Sequence, residues 1–181
     1  MIVAVNEKAF VCNVDSNQVN VIDIETNTFS DVIPISLEPI CIKKDNLNRL
    51  WVLSREDYQT GNSSKITLIN PQTNSIIKSF ALDNNGTSPI SLRINNSTNQ
   101  VYFINKHIYR INGIDNSEQE IIWNNTGENF YNLEIDPYNN DIYLSDAKDY
   151  NSLGDVIILD SDGNLKNKID TCGLITKSIL F

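Results

Sequence analysis

The chain has 181 residues, 40% of them hydrophobic and 20% charged, with 14 Lys and Arg against 23 Asp and Glu for a net charge of −9. That length supports one sizeable core. The acidic balance, with basic residues clustered no further than pairs such as Lys43 and Lys44, argues against nucleic acid as a partner, and no apolar stretch approaches the roughly 20 residues of a membrane-spanning helix.

Period-2 alternation dominates, and no segment of ten or more residues keeps a helical period. The first unit, about 2–36, reads as a short strand at 2–5, a strand at 9–13 with Phe10 second and Asn13 fifth, a third at 19–23, a turn at 24–27 and an outer strand. The second, about 38–83, repeats the pattern with strands at 40–43, 50–54 (Trp51, Ser54), 66–70 and 75–82 around a turn at 71–74. The third, about 89–124, has strands at 91–94, 101–105 (Tyr102, Asn105), 108–112 and 119–123. The fourth, about 131–171, has strands at 132–135, 142–146 (Tyr143, Asp146) and 156–160 before a turn at 161–164, and residues 178–181 read as one strand more. The aromatic second strands recur at spacings of 41, 51 and 41 residues.

A four-stranded meander apolar on both faces is unstable alone, and stacking copies of it buries both faces. The repeat therefore predicts an all-β protein: a β-propeller of four four-stranded antiparallel blades, read as one domain or partial propeller over 1–181. Asparagine is abundant in the turns because it tolerates left-handed backbone. It also creates Asn-x-Ser/Thr triplets at Asn62, Asn85, Asn95, Asn96 and Asn124, which this composition explains by chance. Cys12, Cys41 and Cys172 are odd in number and far apart, and read as small buried residues.

The run Asp141-Ile142-Tyr143-Leu144-Ser145-Asp146-Ala147-Lys148-Asp149-Tyr150, followed by Gly154-Asp155-Val156, resembles the final blade of YncE-like propellers exported by gut anaerobes. The stretch from Asn13 through Val19-Asn20-Val21-Ile22-Asp23 to Thr28 is similar to the repeat of the wider YncE-like group. The resemblance implies a seven-bladed, non-enzymatic, cofactor-free propeller, periplasmic or on the cell surface as a lipoprotein. Some members of that group capture cobalamin and pass it to an outer-membrane transporter. It also places the C-terminus at a natural end. Since 2–5 and 178–181 both read as innermost strands, the expectation is that about three blades precede Met1, a closed four-bladed ring being the rival. An open array would expose the apolar faces of its first and fourth blades. Residues 1–15 do not read as a signal peptide.

In such a blade the loops between second and third strands share a face with the blade-to-blade linkers. Two of these loops are long, 55–61 and 147–152, each with charges of both signs and one tyrosine. With the aromatics of the last linker they give the candidate ligand-binding residues Arg55, Tyr58, Phe130, Tyr131, Lys148 and Tyr150. Rigid aromatics among hydrogen-bonding groups suit a large amphipathic ligand or a protein epitope. The third-to-fourth-strand turns are too short to offer a grip. No nucleophile, phosphate-loop or metalloprotease motif occurs, and the only histidine, His107, has no ligand cluster beside it. Asp160-Ser161-Asp162-Gly163-Asn164 resembles the start of a calcium loop but lacks its distal glutamate, and the same blade position elsewhere is a plain hairpin turn. No catalytic residue and no metal are expected. The leading expectation is non-enzymatic ligand capture outside the cytoplasm; its rivals are a protein-interaction scaffold and, more remotely, the frame of a quinoprotein dehydrogenase subunit.

Overall fold

The computed structural model describes residues 1–35, 37–55, 63–83, 87–113 and 118–173, which divide into two compact units between Pro89 and Ile90. Among them there is no helix; sixteen strands form four separate four-stranded sheets. In the first unit β1 (Ile2–Val5), β2 (Lys8–Asn13), β3 (Gln18–Asp23) and β4 (Thr28–Pro34) make the first sheet. The second comprises β5 (Pro39–Lys44), β6 (Leu50–Ser54), β7 (Lys65–Asn70) and β8 (Ser75–Ala81). In the second unit β9 (Ser91–Asn95), β10 (Gln100–Asn105), β11 (His107–Ile111) and β12 (Gln119–Trp123) form the third sheet. The fourth is β13 (Phe130–Ile135), β14 (Ile142–Asp146), β15 (Asp155–Leu159) and β16 (Leu165–Asp170). Each sheet is an antiparallel meander in sequence order, as the repeat predicts.

Burial falls from the middle of each meander outward. Every residue of β6 is buried, while every residue of β16 is exposed and β4 and β8 are largely so. The aromatic second position of the repeat explains the core: Phe10, Trp51 and Tyr102 are fully buried, and Tyr143 is half-buried. In the first unit Phe10, Val19 and Val21 pack with Ile42, Leu50 and Val52 across the two sheets. In the second, Tyr102, Ile104 and Ile108 pack with Phe130, Leu133 and Ile157. Each such aliphatic side chain contributes about 1.5–3 kcal/mol by leaving water.

The turns are closed by asparagine, as its abundance suggests. Asn6, Asn17, Asn27, Asn48, Asn74, Asn99 and Asn140 all have φ between 50° and 65°. Carboxylates and amides at turn starts hold the backbone that follows. Asp23 accepts the Thr26 N–H at 2.8 Å, Asn95 the Ser97 N–H at 2.9 Å and Asp136 the Tyr138 N–H at 2.8 Å. Asp160 accepts the N–H groups of Asp162 and Asn164 and the Asn164 side chain, so the calcium-like pentapeptide is a hairpin turn whose carboxylate is occupied by its own loop.

Between sheets of one unit the links are side chains. Lys8 Nζ donates to the Pro71 carbonyl (3.4 Å) and to Asn74 Oδ1 (3.2 Å), and Asn74 Nδ2 donates to Asp31 (2.6 Å). In the second unit Arg93 on β9 grips Glu134 on β13 with both Nε and Nη2, and Arg110 Nη1 reaches the Ser161 carbonyl at 2.8 Å. A Cβ built on Gly163, whose φ is +89°, would stand 2.2 Å from the Ile122 carbonyl oxygen, so the fourth sheet's hairpin sits directly against β12.

Candidate functional site

The site builds up in the second unit, where the linker from β12 to β13 lies beside the loop from β14 to β15. Asp146, the small polar fifth residue of β14, is buried, and its Oδ1 accepts the N–H groups of both Asn129 and Lys148 at 2.9 Å. Asn129 answers with its carbonyl to the Ala147 N–H (2.9 Å) and its Nδ2 to the Lys148 carbonyl (3.0 Å). Upstream, Asn125 donates its N–H to His107 Nδ1 at 3.0 Å and its Nδ2 to the Lys106 carbonyl. His107 is thus half-buried and used as an acceptor, tying the linker to the tight turn before β11. The linker is braced at both ends.

Two tyrosines stand on this frame through special backbone. β13 pairs with β14 with a register shift between Phe130 and Asn132, so Tyr131 is the extra residue of a β-bulge. Bulges re-aim a side chain. Here the bulge leaves Phe130 6% exposed in the core and Tyr131 39% exposed. Tyr150, 47% exposed, has φ 61°, and Lys148 two residues earlier has φ 49°. A bulky residue at positive φ is uncommon and costs of order 1–3 kcal/mol, which the surrounding bonds must offset. The Tyr150 N–H donates to the Ala147 carbonyl at 2.9 Å, and Asp149 takes the N–H groups of Asn151 and Ser152.

The charges nearby are engaged within the protein. Lys148 Nζ lies 2.9 Å from Asp155, and Lys168 Nζ lies 2.8 Å from the other oxygen of the same carboxylate. Burial alone would raise the Asp155 pKa, but the hydrogen bonds from Lys168 and Lys148 outweigh it and hold the carboxyl below its ordinary value.

The six candidate residues divide as follows. Tyr131, Lys148 and Tyr150 flank the braced linker and loop of the second unit. Phe130, expected among the exposed aromatics, is a core residue there, because the bulge turns it inward. Arg55 is exposed in the first unit, its N–H bonded to the Glu38 carbonyl at 3.0 Å, and Tyr58 lies outside the described residues. Sequence reasoning missed Asn125, Asn129 and Asp146 as the frame; the fifth-position polar residue of each second strand was the available signal. Two cavities lie at the other ends of their sheets, mostly on first-to-second-strand turns, with one third-to-fourth-strand turn, that between β7 and β8, bordering the first. One of about 190 Å³ is lined by Asn6, Leu47, Arg49 and Pro71 in the first unit, and one of about 140 Å³ by Asn95, Ser97, Asp136 and Asn140 in the second. Among the described residues no group of three His, Cys, Asp or Glu side chains is placed to hold a metal ion.

No protein-family model and no curated protein matches the sequence. Solved structures do match the fold, and the likeness is to β-propeller-like proteins. A quinoprotein alcohol dehydrogenase-like protein from Bacteroides thetaiotaomicron superposes with a TM-score of 0.76 at 15% identity, over 99% of this chain and 47% of its own. Hydrazine synthase of Kuenenia stuttgartiensis gives 0.73 at 14% identity, over 91% of this chain and 46% of its own. A functionally unknown protein from Desulfotomaculum acetoxidans gives 0.71 at 10% identity, over 94% and 56%. The chain spans about half the length of these structures. The four sheets are therefore blades of the propeller type, a fold whose known examples serve different functions.

Proposed function

We propose that this chain is a non-enzymatic, ligand-capturing propeller of the YncE-like kind, acting outside the cytoplasm, with cobalamin or a molecule of similar size and amphipathicity as its ligand and an outer-membrane transporter as the acceptor. The observation that carries the reading is the pair of tyrosines at positions 131 and 150, projected by a β-bulge and by a left-handed residue from a linker and loop braced through Asp146 and Asn129. Two rigid aromatics with polar tips on preorganised backbone provide contact area at low entropic cost, which is what anchors a large ligand. The resemblance of the Asp141 to Val156 segment to exported propellers supplies the ligand and the location.

Titration of the full-length protein with cyanocobalamin tests the reading. Tyr131→Ala and Tyr150→Ala each weaken binding by about 1–3 kcal/mol without changing the unfolding midpoint. A control pair at Thr26 and Thr73, in the third-to-fourth-strand turns of the first two sheets, leaves affinity unchanged. Absence of saturable binding, or loss in the control pair but not in the tyrosine pair, overturns it. A second reading takes its support from the quinoprotein alcohol dehydrogenase-like protein among the structural neighbours: the chain as part of a quinone-bearing enzyme's frame. A visible absorbance band in protein isolated from its natural source would favour that reading over capture.

A further inference from the structure

The cavity of about 190 Å³ carries an inference independent of the tyrosines, because it is lined by first-unit residues alone and the tyrosines belong to the second unit. It lies against the β5–β6 turn, the β7–β8 turn and the tip of the β1–β2 hairpin, with Asn6, Leu47, Arg49, Pro71, Gln72 and Ile77 around it. Two of its lining residues, Leu47 and Arg49, are held by Asp45, whose side chain is only 1% exposed. One carboxylate oxygen accepts the N–H groups of Leu47 (3.0 Å) and Arg49 (2.9 Å). The other accepts Arg49 Nε (2.8 Å) and the Trp51 indole N–H (3.0 Å). Four donors fill the carboxylate.

The guanidinium is thereby fixed through Nε alone. Among the described residues no acceptor is bonded to Nη1 or Nη2, which leaves the fork of the guanidinium available at the wall of a cavity. A second cation is near: the Lys8 ammonium sits on the carbonyl of Pro71, itself a lining residue. Leu47 and Ile77, which line the same cavity, are exposed, so its wall combines a guanidinium with aliphatic surface. The volume is below the roughly 300–1,000 Å³ of a drug-sized pocket, which restricts the occupant to a small molecule. A guanidinium held by one edge pairs with a planar carboxylate through two parallel N–H···O bonds.

We propose that this cavity is a binding site for a small carboxylate bearing a short branched apolar group, its carboxylate on the Arg49 Nη atoms and its apolar group against Leu47 and Ile77.

The experiment uses the whole protein and isobutyrate as the probe, followed by ¹H–¹⁵N spectroscopy. The protein has two tryptophans, and their indole signals serve as reporter and control. Trp51 shares the Asp45 carboxylate with Arg49, whereas Trp123 belongs to the second unit. Isobutyrate is expected to shift the Trp51 indole signal saturably and leave Trp123 in place. Isobutyramide, the neutral isostere, and the Arg49→Gln variant are expected to bind at least tenfold more weakly. Leu47→Ser, at an exposed position that does not put folding at risk, is expected to weaken isobutyrate several-fold while leaving acetate unaffected. Equal response to acid and amide, joint movement of both indoles, or no preference for isobutyrate over acetate overturns the proposal.

Discussion

The contact of Gly163 with β12 can be tested by separating backbone conformation from space. The third-to-fourth-strand turn carries a left-handed residue in three sheets, its last residue in two, Asn27 (φ 55°) and Asn74 (φ 53°), and its last but one in the fourth sheet, Gly163 (φ +89°). Alanine at Asn27, an exposed turn residue, meets only the left-handed cost of about 1–2 kcal/mol. At Gly163 the new methyl would also lie 2.2 Å from the Ile122 carbonyl oxygen and 3.0 Å from its Cβ, a backbone group that cannot swing aside. Relief requires the hairpin to withdraw by about an ångström, which stretches the 2.8 Å bond from Arg110 Nη1 to the Ser161 carbonyl. Overpacking of this kind costs about 1–3 kcal/mol more. Gly163→Ala is therefore expected to lose about 2–5 kcal/mol in urea unfolding, and Asn27→Ala about 1–2. Gly163→Asn is the decisive variant: asparagine tolerates the conformation but not the contact, so it should fall close to alanine. If Gly163→Asn is as stable as the wild type, or Gly163→Ala costs no more than Asn27→Ala, the close approach to β12 is not what requires glycine.

Asp45→Asn places an amide NH₂ where Arg49 Nε and the Trp51 indole now donate, or else leaves their partner oxygen unavailable to Leu47 and Arg49; a loss of about 3 kcal/mol is expected by denaturant unfolding. Asp155→Asn is expected to cost about 1–2 kcal/mol near neutral pH, below a fully buried pair because both lysines are partly exposed. The Asp155 pKa is lowered on folding, so its share is present above the unfolded value of roughly 3.9 and lost as pH falls through the folded value. Hydrogen bonding to Asp155 raises the Lys168 pKa on folding, so that share is present below roughly 10.4 and lost as pH rises through the folded value. The stability difference between wild type and Asp155→Asn should consequently be flat between those limits and shrink at both ends. Burial pushes the Cys12 thiol up to about 11, so at pH 8 it should react with a disulfide reagent far more slowly than exposed Cys172, with buried Cys41 protected until unfolding.

The meander was legible because its signal is redundant. The second-strand aromatics Phe10, Trp51, Tyr102 and Tyr143 repeat at near-constant spacing, and each alternation can be read in only one register with its turns. Strands 2–5, 50–54, 119–123 and 142–146 match the structure residue for residue, and the other bounded strands within the described residues move at an end by one or two. The candidate site was harder to read because it depends on departures from the repeat. Nothing in the string Asn129-Phe130-Tyr131-Asn132 announces a bulge, which is set by how β13 meets β14, and only that bulge decides which ring is buried. The Asp45 hub was invisible for a different reason. Its four donors converge from a turn and from a tryptophan six residues on, and turn chemistry predicts the first two bonds but not the indole or the guanidinium.

Among the described residues the four sheets share no strand pairing with one another, so each of their backbone ladders begins and ends within its own quarter of the sequence. What joins neighbours inside a unit is a handful of side chains, such as Lys8 with Asn74 and Arg93 with Glu134, laid over apolar packing. Heredity can act on such a molecule in whole quarters. Duplication or loss of one leaves every remaining ladder intact and asks only that a few contact residues be refitted. Amide exchange should carry the same partition, with the slowest protons of each quarter opening together and a substitution at one junction speeding exchange chiefly in the two quarters that meet there.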